Sequence, residues 1–247
     1  MYNKIFKEIY SHREKDKAKI LTRFFKTGKG DYGEGDKFLG LTVPVSRQIA
    51  LKYRDLKLVN ILELIKNEYH EVRLIALLIL VQKYKSLDKQ IKSKEISSRS
   101  CLAEKKRIVN FYLKNTKYIN NWDLVDLSAH YILGDYIYHN KNEIKIIEKL
   151  AESKNLWERR IAIISTFAFI YEGESTWTLK IVDKLIKDNH DLIQKACGWM
   201  LREVGKRVSE QELKRYLDIH HKEMPRTMLR YAIERLPEKT RLYYLNL

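Results

Sequence analysis

The chain has 247 residues, of which 45% are hydrophobic and 32% charged, a balance typical of a folded protein and not of a disordered one. Its longest uncharged run has about half of the roughly 20 residues that a membrane-spanning helix needs, and its charged N-terminal segment has no apolar signal-peptide core. The net charge of +16 favours a polyanionic partner, because neutralised phosphates release condensed counterions.

The first non-helical element in chain order is a glycine-rich loop at Gly28–Gly40, which contains five of the nine glycines. Elsewhere apolar residues recur at three- and four-residue spacing, which predicts helices, and no segment alternates as a strand would. Gly28, Gly30 and Gly33 match the G-x-G-x-x-G pattern. A dinucleotide site needs a strand before that pattern, but the preceding LTRFFK segment predicts a helix, and the loop's acidic residues would repel phosphate. We therefore expect no nucleotide site there.

Later helices carry a small residue at matching places, with Ala162, Ala196 and Ala232 spaced by 34 and 36 residues. Ser128 lies 34 residues before Ala162, and Ala76 occupies the corresponding place in an earlier helix. Small residues permit close packing, and stacked helix pairs produce a period of about 35–45 residues. The sequence thus predicts one all-α domain over 1–247, a superhelical solenoid of about six antiparallel helix pairs with a basic concave face. A generic helical bundle is the alternative.

Other chemistries find little support in the residue pattern. Cys101 and Cys197 lie far apart without the spacing of metal ligands, which favours a reduced, cytoplasmic protein. His220 and His221 are adjacent, so their side chains do not converge as those of an i, i+4 pair would. No Ser/His/Asp or Cys/His set can be assembled locally, and we expect neither a metal nor a cofactor.

One constellation is more promising, in the segment NNWDLVDLSAHYILGDY. Trp122 and Asp126 are four residues apart and share one helical face, near an N-terminus that Asn120 or Asn121 would cap. The pattern alone is ambiguous. An acid in the first two turns stabilises the helix dipole by about 0.3–1 kcal/mol, and a tryptophan at an apolar position usually lies in the core.

Repetition of the pattern favours a functional interpretation. Trp157, Arg159 and Arg160 open the next repeat, and Trp199 with Arg202 lies in the one after. Aromatic and cationic groups on successive inner helices would form a strip facing one groove. Indole faces attract positive charge, the carboxylate of the first helix supplies a counter-charge, and arginines hold phosphates.

At these positions the sequence resembles a known family. The segments WDLVD, LWERRIAI and QKACGWMLRE are similar to those of the AlkD-type DNA alkylation repair glycosylases, which are built of HEAT-like repeats. The loop YGEGDKFLGLTVPVSR resembles the entry segment of the same superfamily. The resemblance covers nearly the whole chain, with the motifs in the same order and spacing.

The resemblance implies a monofunctional enzyme that hydrolyses the N-glycosidic bond of alkylated purines, such as 3-methyladenine and 7-methylguanine, in duplex DNA. It implies that the lesion stays stacked or only displaced, whereas most glycosylases flip the base. By the same resemblance, Trp122 and Trp199 cradle the sugar-phosphate, Asp126 stabilises the oxocarbenium ion and positions water, and Arg160 clamps a phosphate. No lysine nucleophile is expected.

The expected partner is double-stranded DNA containing alkylated bases, bound by a monomer with no membrane association. Two alternatives stay open: a non-catalytic HEAT-repeat module for branched or damaged DNA, and a HEAT-like protein–protein adaptor. The basic segment 81–120, with 11 Lys/Arg against 3 Asp/Glu, looks longer than usual for the family and leaves the substrate range open. Further DNA contacts are expected from basic residues along the chain: Arg47, Arg159, Lys195, Arg202, Lys206, Arg226 and Arg230.

We predict that duplex binding weakens steeply with salt and hardly depends on base sequence. Each phosphate contact contributes a slope of about −0.9 to the plot of log affinity against log salt concentration. Fluorescence anisotropy with two unrelated duplexes, at several salt concentrations, measures this slope. A flat response would favour the adaptor.

Overall fold

The computed structural model describes residues 2–93 and 97–246, and within these ranges the chain is helical. No β-strand occurs there, and the only strand-like feature is an isolated bridge between Lys37 and Tyr69. The predicted all-α class is confirmed. The backbone forms two compact units, unit 1 (Met1–Ser128) and unit 2 (Ala129–Leu247). The single-domain organisation, the superhelical stacking and the basic concave face stay predictions.

Unit 1 is built around one long buried helix. In this helix, α5 (His70–Ser93), every side chain from position 70 to 81 is buried. Three other helices of the unit, α3, α4 and α6, pack against it. A helix that is apolar on all sides belongs in a core. The helices of unit 1 are α1 (Tyr2–Ser11), α2 (Lys15–Phe24), α3 (Val43–Lys52), α4 (Leu58–Ile65), α5 (His70–Ser93), α6 (Ser98–Lys114) and α7 (Trp122–Asp126), with a 3-10 turn at Thr116–Tyr118.

The glycine-rich loop lies between α2 and α3, as predicted, and it contacts both ends of α2. A Cβ atom at Gly33 would collide with the carbonyl oxygen of Phe25, which follows α2. Gly40 has a φ of +92°, and a Cβ there would collide with the carbonyl oxygen of Glu14, which precedes α2. Glycine is therefore required at both contacts. The predicted helix before the loop is confirmed, and a dinucleotide-binding motif needs a strand at that place.

The carboxylate of Glu71, in the first turn of α5, fixes the end of this loop. Glu71 is 2% exposed, and its carboxylate accepts hydrogen bonds from the amides of Leu39, Gly40 and Leu41, at distances between 2.8 and 3.2 Å. A buried carboxylate is tolerated when several donors satisfy it. The first turn of α5 thus sets the path of the chain into α3.

Unit 2 consists of shorter helices packed in pairs. Helix α10 packs on α9, and α13 packs on α14 and α15. The helices are α8 (Asp135–His139), α9 (Lys145–Ala151), α10 (Leu156–Ser165), α11 (Phe167–Tyr171), α12 (Thr176–Leu185), α13 (Asp191–Arg207), α14 (Glu210–His220), α15 (Arg226–Ile233) and α16 (Glu238–Asn246), with a π-helical segment at His130–Gly134 and a 3-10 turn at Lys141–Glu143.

The repeating small residues are buried, as their role in packing requires. Ala162, Ala196 and Ala232 are at most 1% exposed. Glycines, however, make the tightest approaches. A Cβ atom at Gly198 would collide with the carbonyl oxygen of Met228 in α15, and one at Gly134 with that of Ser165 in α10.

The segment around Trp122 differs from the sequence expectation. We expected one helix through NNWDLVDLSAHYILG, but α7 ends at Asp126. The Ser128 hydroxyl contacts the carbonyl oxygens of Leu124 at 2.5 Å and Val125 at 3.4 Å, and lies 3.0 Å from the Tyr112 hydroxyl. Serine bonds to preceding carbonyls compete with the regular helix, which accounts for the early end.

No helix in the described part of the chain is long and apolar enough to cross a bilayer.

We predict that Gly198→Ala destabilises the protein by about 1–3 kcal/mol, because the added methyl group meets main-chain atoms of α15. The matched control is Gly205→Ala in the same helix. There the atoms nearest to the new Cβ are side-chain atoms of Leu213 and not main-chain atoms of a neighbouring helix, and alanine improves helix propensity, so a smaller loss is expected. Urea unfolding of both variants measures the difference; equal stabilities would contradict the close packing of α13 on α15.

Candidate functional site

A cleft of about 530 Å³ opens in unit 1 between α2, the end of the glycine-rich loop, α5 and α7. Its walls are largely apolar and include four aromatic rings, those of Phe24, Phe25, Phe38 and Trp122. Concave sites with apolar walls and a few polar groups are typical of ligand binding.

Trp122 is the half-buried ring of this wall. Its indole stacks on Phe25, with ring centroids 5.3 Å apart and planes inclined by 24°. Phe24 lies edge-on to the indole at 6.0 Å and is itself 61% exposed. The cap of α7 is Asn121, one of the two predicted residues, whose side chain accepts from the Trp122 amide at 2.8 Å.

Asp126 lines the same cleft as Trp122, so the predicted shared face is confirmed. Asp126 is the fifth and last residue of α7, in the second turn counted from the Asn121 cap, as expected. The effect of a helix dipole falls off within the first turn, so it contributes little to stabilising this carboxylate.

The cleft contains three carboxylates in a chain of net charge +16. Besides Asp126 these are Glu71, which holds the loop amides, and Asp123. Lys17 of α2 also lines the cleft, with its ammonium group 2.9 Å from Glu14. Aromatic faces together with carboxylates stabilise a positively charged ligand or a developing cation.

A buried histidine connects this cleft to the glycine-rich loop. His70, at the start of α5, is 1% exposed. Its Nδ1 lies 3.2 Å from Oδ2 of Asp36 in the loop, and its Nε2 lies 2.8 Å from Oδ2 of Asp123 in α7. Phe25 and Phe38 contact the imidazole, each with a centroid separation of 4.8 Å.

Asp36 is the second centre of this buried cluster. Its carboxylate accepts from Arg73 at 2.6 Å, from Asn121 at 3.1 Å and from Asn120 at 3.3 Å. Asp36 is one of the acidic residues of the glycine-rich loop. It is only 8% exposed and joins the loop to α5 and to the start of α7.

The cluster is an ion pair network at neutral pH. Burial by itself lowers the pKa of His70, but the charge of Asp123 and the hydrogen bonds to Asp123 and Asp36 outweigh it and raise the pKa to about 9. Burial raises the pKa of Asp36, but the bond to His70 and the charge of Arg73 more than compensate, so that this pKa is lowered. His70 is thus an imidazolium that donates from both ring nitrogens.

Sequence reasoning missed this cluster. Asp36, His70 and Asp123 are separated by 34 and 53 residues, so no local spacing connects them. The one local feature that the sequence offers is a His–Glu pair at the start of a predicted helix, His70 and Glu71.

The other predicted site residues belong to unit 2. Trp199 in α13 is half-buried, with its ring centroid 5.9 Å from that of Phe167. Arg207 lies over the rings of Phe167 and Tyr171, at 5.5 and 4.8 Å. Arg160 in α10 is 5% exposed and donates to the Leu192 carbonyl, at 2.6 Å, in the first turn of α13.

The expected aromatic–cationic strip is incomplete at the middle repeat. Trp157 is only 8% exposed and belongs to the core. Arg159 is bound to Asp188 at 2.6 Å and to the carbonyls of Ser153 and Lys154. The burial of Trp157 and the hydrogen bonds of Arg159 show that both side chains contribute to the packing of the fold.

The remaining predicted DNA-contacting residues differ in their surroundings. Arg202 pairs with Glu234, Lys195 lies 2.8 Å from Asp191, and Arg226 donates to the Leu245 carbonyl at 2.8 Å. The side chains at the other three predicted positions are exposed: Arg47, Lys206 and Arg230.

The described residues thus form an all-helical protein with an aromatic, carboxylate-bearing cleft. The sequence matches the model of the DNA alkylation repair enzyme family over residues 5–236, and the chain belongs to this family. The family implies a role in DNA alkylation repair, with DNA as the partner.

Two solved structures share the fold. A predicted DNA alkylation repair enzyme from Enterococcus faecalis superposes with a TM-score of 0.63 and 16% identity, covering 92% of this chain and 98% of that one. AlkD2 from Streptococcus mutans gives a TM-score of 0.55 and 16% identity, covering 90% and 98%. No curated protein matches the chain.

We predict that the stability contributed by His70 is lost at alkaline pH. The folded-state pKa of about 9 exceeds the ordinary value of 6.5, so the contribution is complete below pH 6.5 and disappears as the pH rises through 9. The difference in unfolding free energy between wild type and His70→Gln should therefore shrink over this window, by on the order of 3 kcal/mol.

Urea unfolding at several pH values measures this difference. His12→Gln, which replaces an exposed histidine, is the matched control and should follow the wild type. A difference that stays constant from pH 6 to 10 would show that His70 is not charged in the folded protein.

Proposed function

We propose that this protein is a monofunctional DNA glycosylase that removes cationic alkylated purines, such as 3-methyladenine and 7-methylguanine, from duplex DNA. The observation that carries the proposal is the position of Asp126 and Trp122 in one aromatic cleft of a strongly basic chain. The basic chain suits the DNA backbone, whereas the cleft suits the positive charge of the lesion.

The proposed reaction breaks the bond between C1′ and the purine nitrogen. Because alkylation has made the purine cationic, the bonding electron pair leaves with the base and neutralises it, so no general acid is needed. The positive charge passes to the sugar as an oxocarbenium ion, which the Asp126 carboxylate stabilises. Water then adds to C1′ and loses a proton, giving an abasic site and the neutral methylated base.

Lys17 bears on the monofunctional assignment. A lyase needs an amine that attacks C1′, and Lys17 is a lysine that lines the cleft. We assign it no covalent role, since its ammonium group is hydrogen-bonded to Glu14. Borohydride trapping on methylated DNA tests this assignment, and a trapped complex that disappears in Lys17→Ala would overturn it.

Trp199 and Arg160 are proposed to contact the sugar-phosphate backbone, in line with the family resemblance. Trp199 retains an exposed part of its ring. Arg160 is 5% exposed and donates to the Leu192 carbonyl, so we expect a phosphate to reach only the small exposed part of its guanidinium. If Arg160 instead serves only to hold α13, Arg160→Ala should lower stability without changing the salt dependence of duplex binding.

We also propose that the protein is a cytoplasmic monomer. Both cysteines are buried free thiols, as a reducing compartment allows.

We predict that Asp126→Asn lowers excision of 7-methylguanine by about 10²–10³-fold, because the amide keeps the size but removes the charge that stabilises the cationic sugar. Duplex affinity should be unchanged or slightly higher, since a carboxylate near phosphates is repulsive. Single-turnover release of the methylated base, together with anisotropy, measures both quantities.

Asp55→Asn, which removes an exposed carboxylate outside the cleft, is the matched control and should keep the wild-type rate. Arg160→Ala should weaken both binding and excision. The wild type should ignore the neutral lesions uracil and hypoxanthine. Full activity in Asp126→Asn would refute the assignment of this site. Tight DNA binding without any excision by the wild type would identify a non-catalytic DNA-binding module.

A further inference from the structure

Helix α7 is too short to determine its own position. It has five residues, whereas isolated helices shorter than about 12 residues are marginal in water. The place of the Asp126 carboxylate therefore depends on what holds the start of the helix. Two side chains there, Asn121 and Asp123, make the contacts that do so.

Each of these side chains bonds both to α7 and to the buried cluster. Asn121 accepts from the amide of the next residue at 2.8 Å and donates to Asp36 at 3.1 Å. Asp123 likewise accepts from the amide of the next residue at 2.8 Å, and its other oxygen lies 2.8 Å from Nε2 of His70. The start of α7 is thus fixed to the glycine-rich loop and to α5.

We propose that His70 is a positioning residue, which holds Asp123 and thereby fixes the turn that carries Trp122 and Asp126 in the geometry that excision requires. This inference rests on the proposed glycosylase function. His70 acts through Asp123 and need not touch the lesion. Of the residues in the cluster, it is the one whose ring contacts both Asp36 and Asp123.

The protonation state of His70 determines whether both contacts persist. The imidazolium donates from both ring nitrogens, whereas the neutral ring donates from only one, so deprotonation gives up one of the two bonds. The charged groups in contact with His70 are Asp36 in the loop and Asp123 in α7, and Arg73 of α5 pairs with Asp36. Three further charged side chains line the same cleft as His70: Glu71 of α5, Asp126 of α7 and Lys17 of α2. Loss of the proton should loosen α7 relative to the loop or to α5.

Two substitutions separate the two bonds. In His70→Asn the amide nitrogen reaches the place of Nδ1 and preserves the bond to Asp36. In His70→Gln it reaches the place of Nε2 and preserves the bond to Asp123. Both remove the charge, so they form a matched pair.

The rate of 7-methylguanine release at saturating protein should fall about 10–100-fold in His70→Asn, because a displacement of about 1 Å at the reacting groups costs this much. His70→Gln should stay much closer to the wild type. Duplex affinity should be the same in both variants, because position 70 is buried and is not proposed to contact the DNA backbone. Equal rates in two folded variants would overturn the proposal.

A second measurement uses the wild-type protein without DNA. The indole N–H signal of Trp122, identified by its loss in Trp122→Phe, should shift with pH with a midpoint near that of His70, about 9. Trp177 in unit 2 is the control and should not follow this titration. A Trp122 signal that does not move with the His70 ring would overturn the proposal, even if both variants fail to fold.

The two proposals fail in distinguishable ways. If the wild type binds DNA and excises nothing, the glycosylase assignment is wrong, but the indole titration still reports whether His70 holds α7. If excision occurs and the titration is absent, only the role of His70 is refuted.

Discussion

The contact between His70 and its two carboxylates organises unit 1. Asp36 comes from a loop, Asp123 from a five-residue helix, and His70 from the buried start of α5. The loop is also bonded to the start of α5 through the Lys37 carbonyl, which accepts from the His70 amide, and through the Glu71 carboxylate. What the His70 ring adds is a contact to α7. A charge buried in the protein interior is tolerated only when it is paired and hydrogen-bonded, and here the same pairing ties α7 to α5 and to the loop. The geometry of the cleft is therefore linked to the ionisation of one imidazole.

The chain as a whole is strongly basic, whereas the apolar cleft presents the carboxylate of Asp126. The net charge of +16 acts over distances of about a Debye length, roughly 8–10 Å at ordinary ionic strength, and suits a polyanion. The carboxylate of Asp126 acts at contact distance on whatever enters the cleft. A neutral base gains little from such a carboxylate, whereas a cationic purine, or the sugar that it leaves behind, gains much. This contrast favours alkylated purines as the substrate class.

Three features of the protein were predictable from the sequence: the helical class of the fold, the glycine-rich loop, and the placement of Trp122 and Asp126 on one helical face. Each of these follows from local spacing: apolar residues at three and four positions, glycines concentrated in one segment, and two residues one helical turn apart. The family resemblance was carried by short contiguous motifs for the same reason. Local spacing does not distinguish a core face from a binding face, as the burial of Trp157 shows.

The end of α7, the burial of particular acids and the contacts that hold the candidate site depend on the packing of distant segments and were not predictable from local spacing. The hydroxyl of Ser128 bonds to the carbonyls of the preceding turn, and Tyr112, from another helix, meets it there. Nothing in the local sequence around Asp36 indicates that it is buried; its burial depends on Arg73 and His70, which lie more than 30 residues away in the chain. Contacts between residues far apart in the chain leave no periodic signal in the sequence, so the cluster that holds the site could be recognised only once the helices had been packed.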